Sequence, residues 1–155
     1  MRIDYLADHT DVMLELASIH CAFFGRFKPD MTPESRAREL GKRSGKTSIP
    51  LTLVALDQKI PIGSVSLVEH DLDSRPDLSP WVASVVVRSD YQRQGAGTAL
   101  MRRIETEAVK LGIKKLYLFT PDMEVFYRTL NWVTIGQEIF KKRFEVTLME
   151  KKILA

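Results

Sequence analysis

The sequence predicts an α/β (α+β) fold around a mixed central sheet, and three features point there. Helical and strand periodicities interleave along the chain instead of segregating into blocks. The segment Trp81–Val87 ends in three consecutive valines, as expected of a strand buried on both faces. A glycine-bearing turn, Gly95-Ala96-Gly97, then leads from that strand into a long amphipathic helix.

The elements follow in order. Residues 2–6 (RIDYL) suit a short first strand. Val12, Leu16, Ile19 and Phe23 recur at helical spacing, and Met13, Ala17 and Phe24 widen the stripe, so 11–25 predicts an amphipathic helix. Thr32-Pro33-Glu34 places a capping hydroxyl, a proline at the first helical position and an acid in the first turn. A second helix is therefore expected over 33–44, stopped at Ser44-Gly45. Residues 51–56 and 62–68 flank the polar turn Asp57-Gln58-Lys59, and Val65 and Leu67 alternate with Ser64 and Ser66, the pattern of a hairpin. Residues 69–80 are polar, carry Pro76 and Pro80, and form a loop.

After the valine strand, Leu100, Met101, Ile104, Ala108 and Leu111 share one helical face, with Gly112 placed just past its end. Residues 115–120 (KLYLFT) form another strand. Thr120-Pro121-Asp122 repeats the helix-start pattern ahead of Phe126 and Leu130, and the segments 132–140 and 143–154 close the chain as a strand pair. The order is strand, two helices, three strands, helix, strand, helix, two strands.

Composition narrows the class. The 155 residues are 45% hydrophobic and 28% charged, the balance of one soluble globular domain spanning 1–155. A single cysteine, Cys21, excludes an internal disulfide framework or a multi-cysteine metal site. His9 and His20 have no second ligand at metal spacing, so no metal is expected. There is no run of about 18 apolar residues, so no membrane span is expected. The stretch MRIDYLADHTD carries acids where a signal peptide needs an apolar core, so a reduced cytoplasmic setting is the expectation. Net charge is +3, from 23 basic and 20 acidic residues. A pI near 9.0 suits either a nucleic-acid partner or a polyanionic cofactor. The basic residues are dispersed, and the densest group, Lys141-Lys142-Arg143, reads as a polar turn. No nucleic-acid partner is expected.

The central turn carries chemistry. Val85-Val86-Val87, a short connection, and Gln92-Arg93-Gln94-Gly95-Ala96-Gly97-Thr98 opening a helix bring together two features. Glycines leave room for a ligand at the backbone, and the first helical turn offers unpaired amides at the positive end of the dipole. That combination suits a phosphate or pyrophosphate, with Arg93, Arg102 and Arg103 able to add charge. A P-loop would need Gly-Lys-Ser/Thr, and this chain has Gly97-Thr98-Ala99. A Rossmann fingerprint needs a third glycine near the start of a βαβ unit. The bland alternative is a tight strand-to-helix turn with no ligand.

The stretch resembles the GNAT superfamily of N-acetyltransferases, whose signature Gln/Arg-x-x-Gly-x-Gly/Ala is matched by Gln92-x-x-Gly95-x-Gly97. Val125-Phe126-Tyr127-Arg128-Thr129-Leu130-Asn131-Trp132 is similar to the family's later aromatic helix and turn. The resemblance is specific over about 82–135. It implies a GNAT-like mixed, mostly antiparallel central sheet of about seven strands flanked by about four helices, with acetyl-CoA as cosubstrate. The implied cofactor-binding residues are Val85, Val86, Val87, Gln92, Arg93, Gln94, Gly95, Ala96, Gly97, Thr98, Thr120 and Phe126. Two positions depart from the family pattern. Asn131 stands where a glycine is usual, and asparagine also tolerates the left-handed conformation. Thr120 stands where an asparagine is frequent, so a hydroxyl replaces an amide beside the cofactor.

Acetyl transfer to an amine needs a free-base nucleophile, a stabilised carbonyl oxygen and a proton for the departing thiolate. Amides of the Val85–Val87 segment are implied for the oxygen. Tyr127 occupies the position of the family's acid, although it also reads as an aromatic packed beside Phe126. Glu69 is the expected base at the substrate mouth, with the alternative of a solvated strand end, and His70 beside it has the range of a proton shuttle. Trp81 is either core or substrate wall, with the core favoured. The acceptor is an amine of a small molecule or of a peptide or protein. Asp71, Asp73 and Asp77 with Arg75 in the 69–80 loop lean toward a cationic one. The apolar segment 144–149 is compatible with a homodimer. A non-catalytic acyl-CoA sensor module is the alternative to an enzyme.

Overall fold

The computed structural model describes residues 1–154 and contains seven strands and four α-helices. In chain order they are β1 (Arg2–Tyr5), α1 (Met13–Phe24), α2 (Pro33–Gly41), β2 (Leu51–Asp57), β3 (Ile60–Val68), β4 (Trp81–Val87), α3 (Ala96–Lys110), β5 (Lys115–Thr120), α4 (Glu124–Thr129), β6 (Val133–Phe140) and β7 (Phe144–Lys152). One sheet runs β1-β2-β3-β4-β5-β7-β6. Every neighbouring pair is antiparallel except β4 and β5. This is the mixed, mostly antiparallel arrangement that the element order and the family resemblance predict.

The period-two pattern of β2 shows how the layers form. Leu51, Leu53 and Ala55 join the cluster that contains Leu100, Met101 and Ile104 of α3. Val54 and Leu56 face the opposite way, into a cluster with Leu16 and Ala17 of α1 and Leu40 of α2. The strand is therefore buried on both faces. Ser64 and Ser66 of β3 are also buried, on partners supplied by other elements. Ser66 Oγ shares a hydrogen bond with Thr52 Oγ1 at 2.8 Å, and Ser64 Oγ with His20 Nε2 at 2.7 Å. Burying a hydroxyl is tolerable when it is paired in this way.

Local signals place most helix ends. The Thr32 hydroxyl accepts from the Ser35 amide at 3.1 Å, and the Ser35 hydroxyl accepts in return from the Thr32 amide at 3.0 Å, with Pro33 in the first turn. Three boundaries differ from the sequence expectation. α1 begins at Met13, after 3-10 turns over Leu6–Asp8 and Thr10–Val12. α2 ends at Gly41 rather than 44. α4 begins at Glu124, because the Thr120 hydroxyl accepts from the Met123 amide at 2.9 Å and holds one open turn ahead of the helix.

One further expectation changes. Of the three valines, Val86 is buried and Val85 and Val87 are only half-buried. β5 pairs with β4 at a single position, Trp81 with Tyr117, so it does not cover the far end of the strand. The segment 144–149 lies inside the sheet rather than at its edge. β7 lies between β5 and β6, its Val146, Leu148 and Met149 are buried, and the sheet edge belongs to β6. Trp81 is fully buried, as favoured, and its Nε1 donates to the Leu78 carbonyl at 2.7 Å.

Asn131 links α4 to β6 with φ 71°, the left-handed conformation anticipated for it. Asn131→Gly is expected to leave stability within a few tenths of a kcal/mol. Asn131→Val should lose about 1–2 kcal/mol in urea unfolding, because a β-branched residue is strained there.

Candidate functional site

The site forms where β4 and β5 part. Beyond Trp81–Tyr117 the edge of β4 that faces β5 has no ladder partner, so its backbone groups are open to a ligand. Two structures flank this edge: an amide-rich loop at the end of β4, and a cavity between β4, β5 and the α1–α2 connection.

The loop is built on left-handed residues. Arg93 has φ 62° and Gly95 φ 90°. A Cβ at Gly95 would meet nothing within 4 Å, so the conformation, rather than space, calls for glycine there. The first intrahelical bond of α3 runs from Ala99 N to Gly95 O at 3.0 Å. Among the described residues, the amides from Arg93 to Thr98 have no acceptor. Such a run of N–H groups at a helix start, with no acid in its first turn, forms an anion-binding concavity. At Gly97 an added Cβ would stand 3.6 Å from Phe126 Cζ and 3.8 Å from Val87 Cγ2. Those are ordinary contacts, so the packing around Gly97 does not by itself demand glycine there.

Side chains hold the loop in place. Gln92 Nε2 donates to the Val87 carbonyl at 3.1 Å, so this predicted ligand residue ties the loop back to its own strand. Arg88 grips Asp90 with two bonds of 2.7 Å, and the Tyr91 hydroxyl donates to Asp57 at 2.7 Å, anchoring the loop to the β2–β3 hairpin. Gln94 is exposed, Ala96 is buried, and Thr98 and Phe126 are half-buried. Phe126 packs edge-on against Tyr127, with ring centroids 5.1 Å apart.

The cavity is about 130 Å³. Val82 to Val85, Leu118 to Met123 and Tyr127 line it from β4, β5 and α4. Phe23, Phe24, Arg26, Phe27 and Lys28 line it from α1 and the residues after it, and Asp71, Arg36, Phe140 and Val146 complete it. Tyr127 is buried, and burial, followed by the negative charge of Asp122, holds its phenol well above the usual range. It therefore stays protonated and remains a donor. Thr120 is buried in the same wall, its oxygen engaged by the Met123 amide and its proton available. Glu69, the expected base, is not among the lining residues. Its side chain is 73% exposed and 3.9 Å from His70, itself exposed. β3 ends at Val68, and among the carboxylates of the loop after it Asp71 is the one that lines the cavity. Burial pushes the Asp71 carboxyl up to about 6, against the opposing pull of Arg43, Lys28 and Arg36.

A buried polar network shapes the site. Ser84 has φ 55°, and the β3–β4 register shifts across it, marking a bulge in β4. Arg36, 1% exposed, donates from Nη2 to Ser84 Oγ at 2.8 Å, from Nε to His20 Nδ1 at 3.1 Å and from Nη1 to Glu39 at 2.8 Å. Arg43 adds a second donor to Ser84 Oγ at 3.2 Å. His20 accepts at Nδ1, so its Nε2 carries the proton and donates to Ser64. Burial, then the charges of Arg36, Arg43 and Lys28, hold it neutral, its pKa far below the usual value. Sequence reasoning missed this network. Its signals were a lone serine inside an apolar strand and Arg36 one turn from the buried Leu40.

These features meet the comparisons with known proteins. The model of the acetyltransferase (GNAT) family matches residues 13–130. The chain belongs to the GNAT acetyltransferase family. Among solved structures, this GNAT chain is similar to an aminoglycoside 6'-N-acetyltransferase complexed with coenzyme A, at 17% identity and TM-score 0.76 over 100% of this chain and 98% of the other. It is also similar to a ribosomal-protein-alanine N-acetyltransferase from Brucella melitensis, at 17% identity and TM-score 0.81 over 99% and 100%. An aminoglycoside 6'-N-acetyltransferase from Enterococcus faecium matches at 18% identity and TM-score 0.75 over 100% and 98%. At these identities the shared feature is the fold. Among the described residues of this GNAT protein, no group of three His, Cys, Asp or Glu side chains is placed to hold a metal, and no helix is long and apolar enough to cross a membrane.

The bulge depends on an acceptor for two guanidinium groups. Ser84→Ala should therefore cost about 1–3 kcal/mol in chemical unfolding, the penalty for stranding buried donors. Ser84→Thr keeps the hydroxyl but sets a β-branched residue at φ 55°, so it should not restore full stability.

Proposed function

We propose that the protein transfers the acetyl group of acetyl-CoA to a primary amine. One observation carries this reading: the unpaired amides of 93–98 open beside the unpaired edge of β4, which leads into a cavity lined by a protonated tyrosine and a carboxylate. The residues fit the cosubstrate. The amides and the helix dipole suit its diphosphate, and Arg93 is exposed nearby. When bound, acetyl-CoA supplies an activated thioester carbonyl.

The chain's own groups divide the work. Backbone N–H groups on the free edge of β4 near Val85 receive the oxygen as negative charge develops there. The acceptor nitrogen forms the C–N bond with its lone pair and sheds a proton, and Asp71 takes the base role expected of Glu69. The C–S bond breaks with its electron pair going to sulfur, where Tyr127 donates a hydrogen bond. A phenol held above its usual range is a weak acid towards a thiolate of pKa about 8.5, so Tyr127 stabilises the departing thiolate by a hydrogen bond, and the thiolate takes its proton from solvent as CoA leaves. Thr120, with its hydroxyl proton unspent, lies on the same wall. A cytoplasmic setting suits a chain whose lone cysteine needs no oxidising compartment.

Release of free CoA thiol from acetyl-CoA with a panel of primary amines is the direct test. Cofactor binding with no turnover on any amine would instead indicate a sensor module. Tyr127→Phe, which removes one stabilising donor, should lower kcat by about 10² while the CoA dissociation constant stays within about twofold.

The Asp71 carboxyl is neutral below about pH 6 and ionised above it. Its capacity to accept a proton is therefore lost as pH falls through that value, and kcat/KM should decline on the acid side of about pH 6. Asp71→Asn should reduce kcat/KM by about 10² or more and abolish that acid limb, whereas Glu69→Gln should leave the limb in place.

A further inference from the structure

The charges lining the cavity do not all cancel. Five charged side chains contribute to it: Arg26, Lys28, Arg36, Asp71 and Asp122. Arg26 pairs with Asp122 at 3.0 Å. Arg36 spends its guanidinium on His20, Glu39 and Ser84. Lys28 and Asp71 remain. Among the described residues neither has a side-chain hydrogen bond or an ion pair within 4 Å, although both are half-buried and their charges attract. Half-buried charges without partners are costly, and this pair stands apart on a shared wall.

The rest of the wall is aromatic. Phe23 and Phe24 meet edge-on with centroids 4.9 Å apart, Phe119 and Phe140 lie 5.0 Å apart, and Phe27 completes the lining. At about 130 Å³ the space is close to the roughly 150 Å³ of a cavity that accepts benzene. It suits one ring or one branched aliphatic chain.

We propose that the acceptor is a small zwitterionic amine, a free amino acid whose carboxylate is received by Lys28, whose amine faces Asp71 and whose single apolar side chain lies among the phenylalanines. This rests on the acetyltransferase reading and names its substrate class. It reverses the cationic acceptor that the 69–80 loop suggested. In that loop Asp77 is held by Arg75 through bonds of 3.0 and 2.9 Å, and Asp73 is exposed. Asp71 is the acid that reaches the cavity, and Arg36 and Arg43 lie close enough to influence its charge. A polycation would meet Arg26, Lys28 and Arg36 with only Asp71 and Asp122 in compensation. An amine lacking an anion would leave Lys28 unpaired.

Calorimetry on the full chain, with and without saturating CoA, separates the possibilities using L-phenylalanine, L-leucine, phenethylamine (the body of L-phenylalanine without the carboxylate) and spermidine. L-Phenylalanine is expected to bind at least about tenfold more tightly than phenethylamine, as one charge-assisted contact provides, and spermidine no better than phenethylamine. Lys28→Gln should collapse the ratio to about one, and Lys28→Arg should largely keep it, with unfolding curves confirming that both variants fold. A ratio near one in the wild type, preference for spermidine, no binding of L-phenylalanine or L-leucine, or a ratio that survives in Lys28→Gln would each overturn the proposal. Absence of heat with CoA itself would overturn the acetyltransferase reading instead, and the amino-acid titrations on the CoA-free protein would still report on the cavity.

Discussion

The parting of β4 from β5 is the constraint on which the site depends. A parallel pair normally continues its ladder along both strands, because an unpaired backbone edge inside a protein is expensive. Here the ladder holds at Trp81–Tyr117 and then opens. The bulge at Ser84 redirects β4, and its left-handed backbone persists because Arg36 and Arg43 both converge on the serine hydroxyl. Arg36 is itself buried and requires partners, which it finds in His20 of α1 and Glu39 of α2. His20 in turn holds Ser64 of β3. One chain of hydrogen bonds thus ties two helices and two strands to the residue that opens the cleft. A network of this kind specifies a unique arrangement only when every member is satisfied, and these members are.

The two ends of the cleft meet charge by different means. At the α3 end the donors are backbone amides with a helix dipole behind them, held rigid by Gln92, Arg88–Asp90 and Tyr91–Asp57. Such donors bear no titratable proton and suit a permanent anion. At the cavity end the groups are side chains whose protonation burial has shifted. Tyr127 is kept neutral, and Asp71 is raised toward the working range of a base. One low-dielectric wall thereby carries a phenol held protonated and a carboxyl raised toward neutrality.

Much of this was legible in the residues, because the signals were local. Thr32-Pro33 announced α2, the alternation around Val65 and Leu67 announced the hairpin, and Gly95 announced a backbone that only glycine adopts easily. Asn131 was correctly read as a left-handed link, since its short amide side chain tolerates that conformation. The residues say less where placement depends on a distant partner. Glu69 and Asp71 are two positions apart in a polar loop, and nothing in their neighbours' identity says which one enters the cavity. Arg36 drew no notice because two of its acceptors lie 16 and 48 positions away. The insertion of segment 144–149 between β5 and β6 is likewise a property of topology.

The sequence by itself determined the succession of elements, the faces they bury and the glycine loop at the head of α3, because each follows from periodicity, capping or conformational preference within a few residues. Only the tertiary structure decided where β4 and β5 separate, which carboxylate enters the cavity and which charges remain unpaired on its wall. Those outcomes are set by long-range pairing and by the cost of burying each charge, and that cost is defined only once the surrounding elements have assembled.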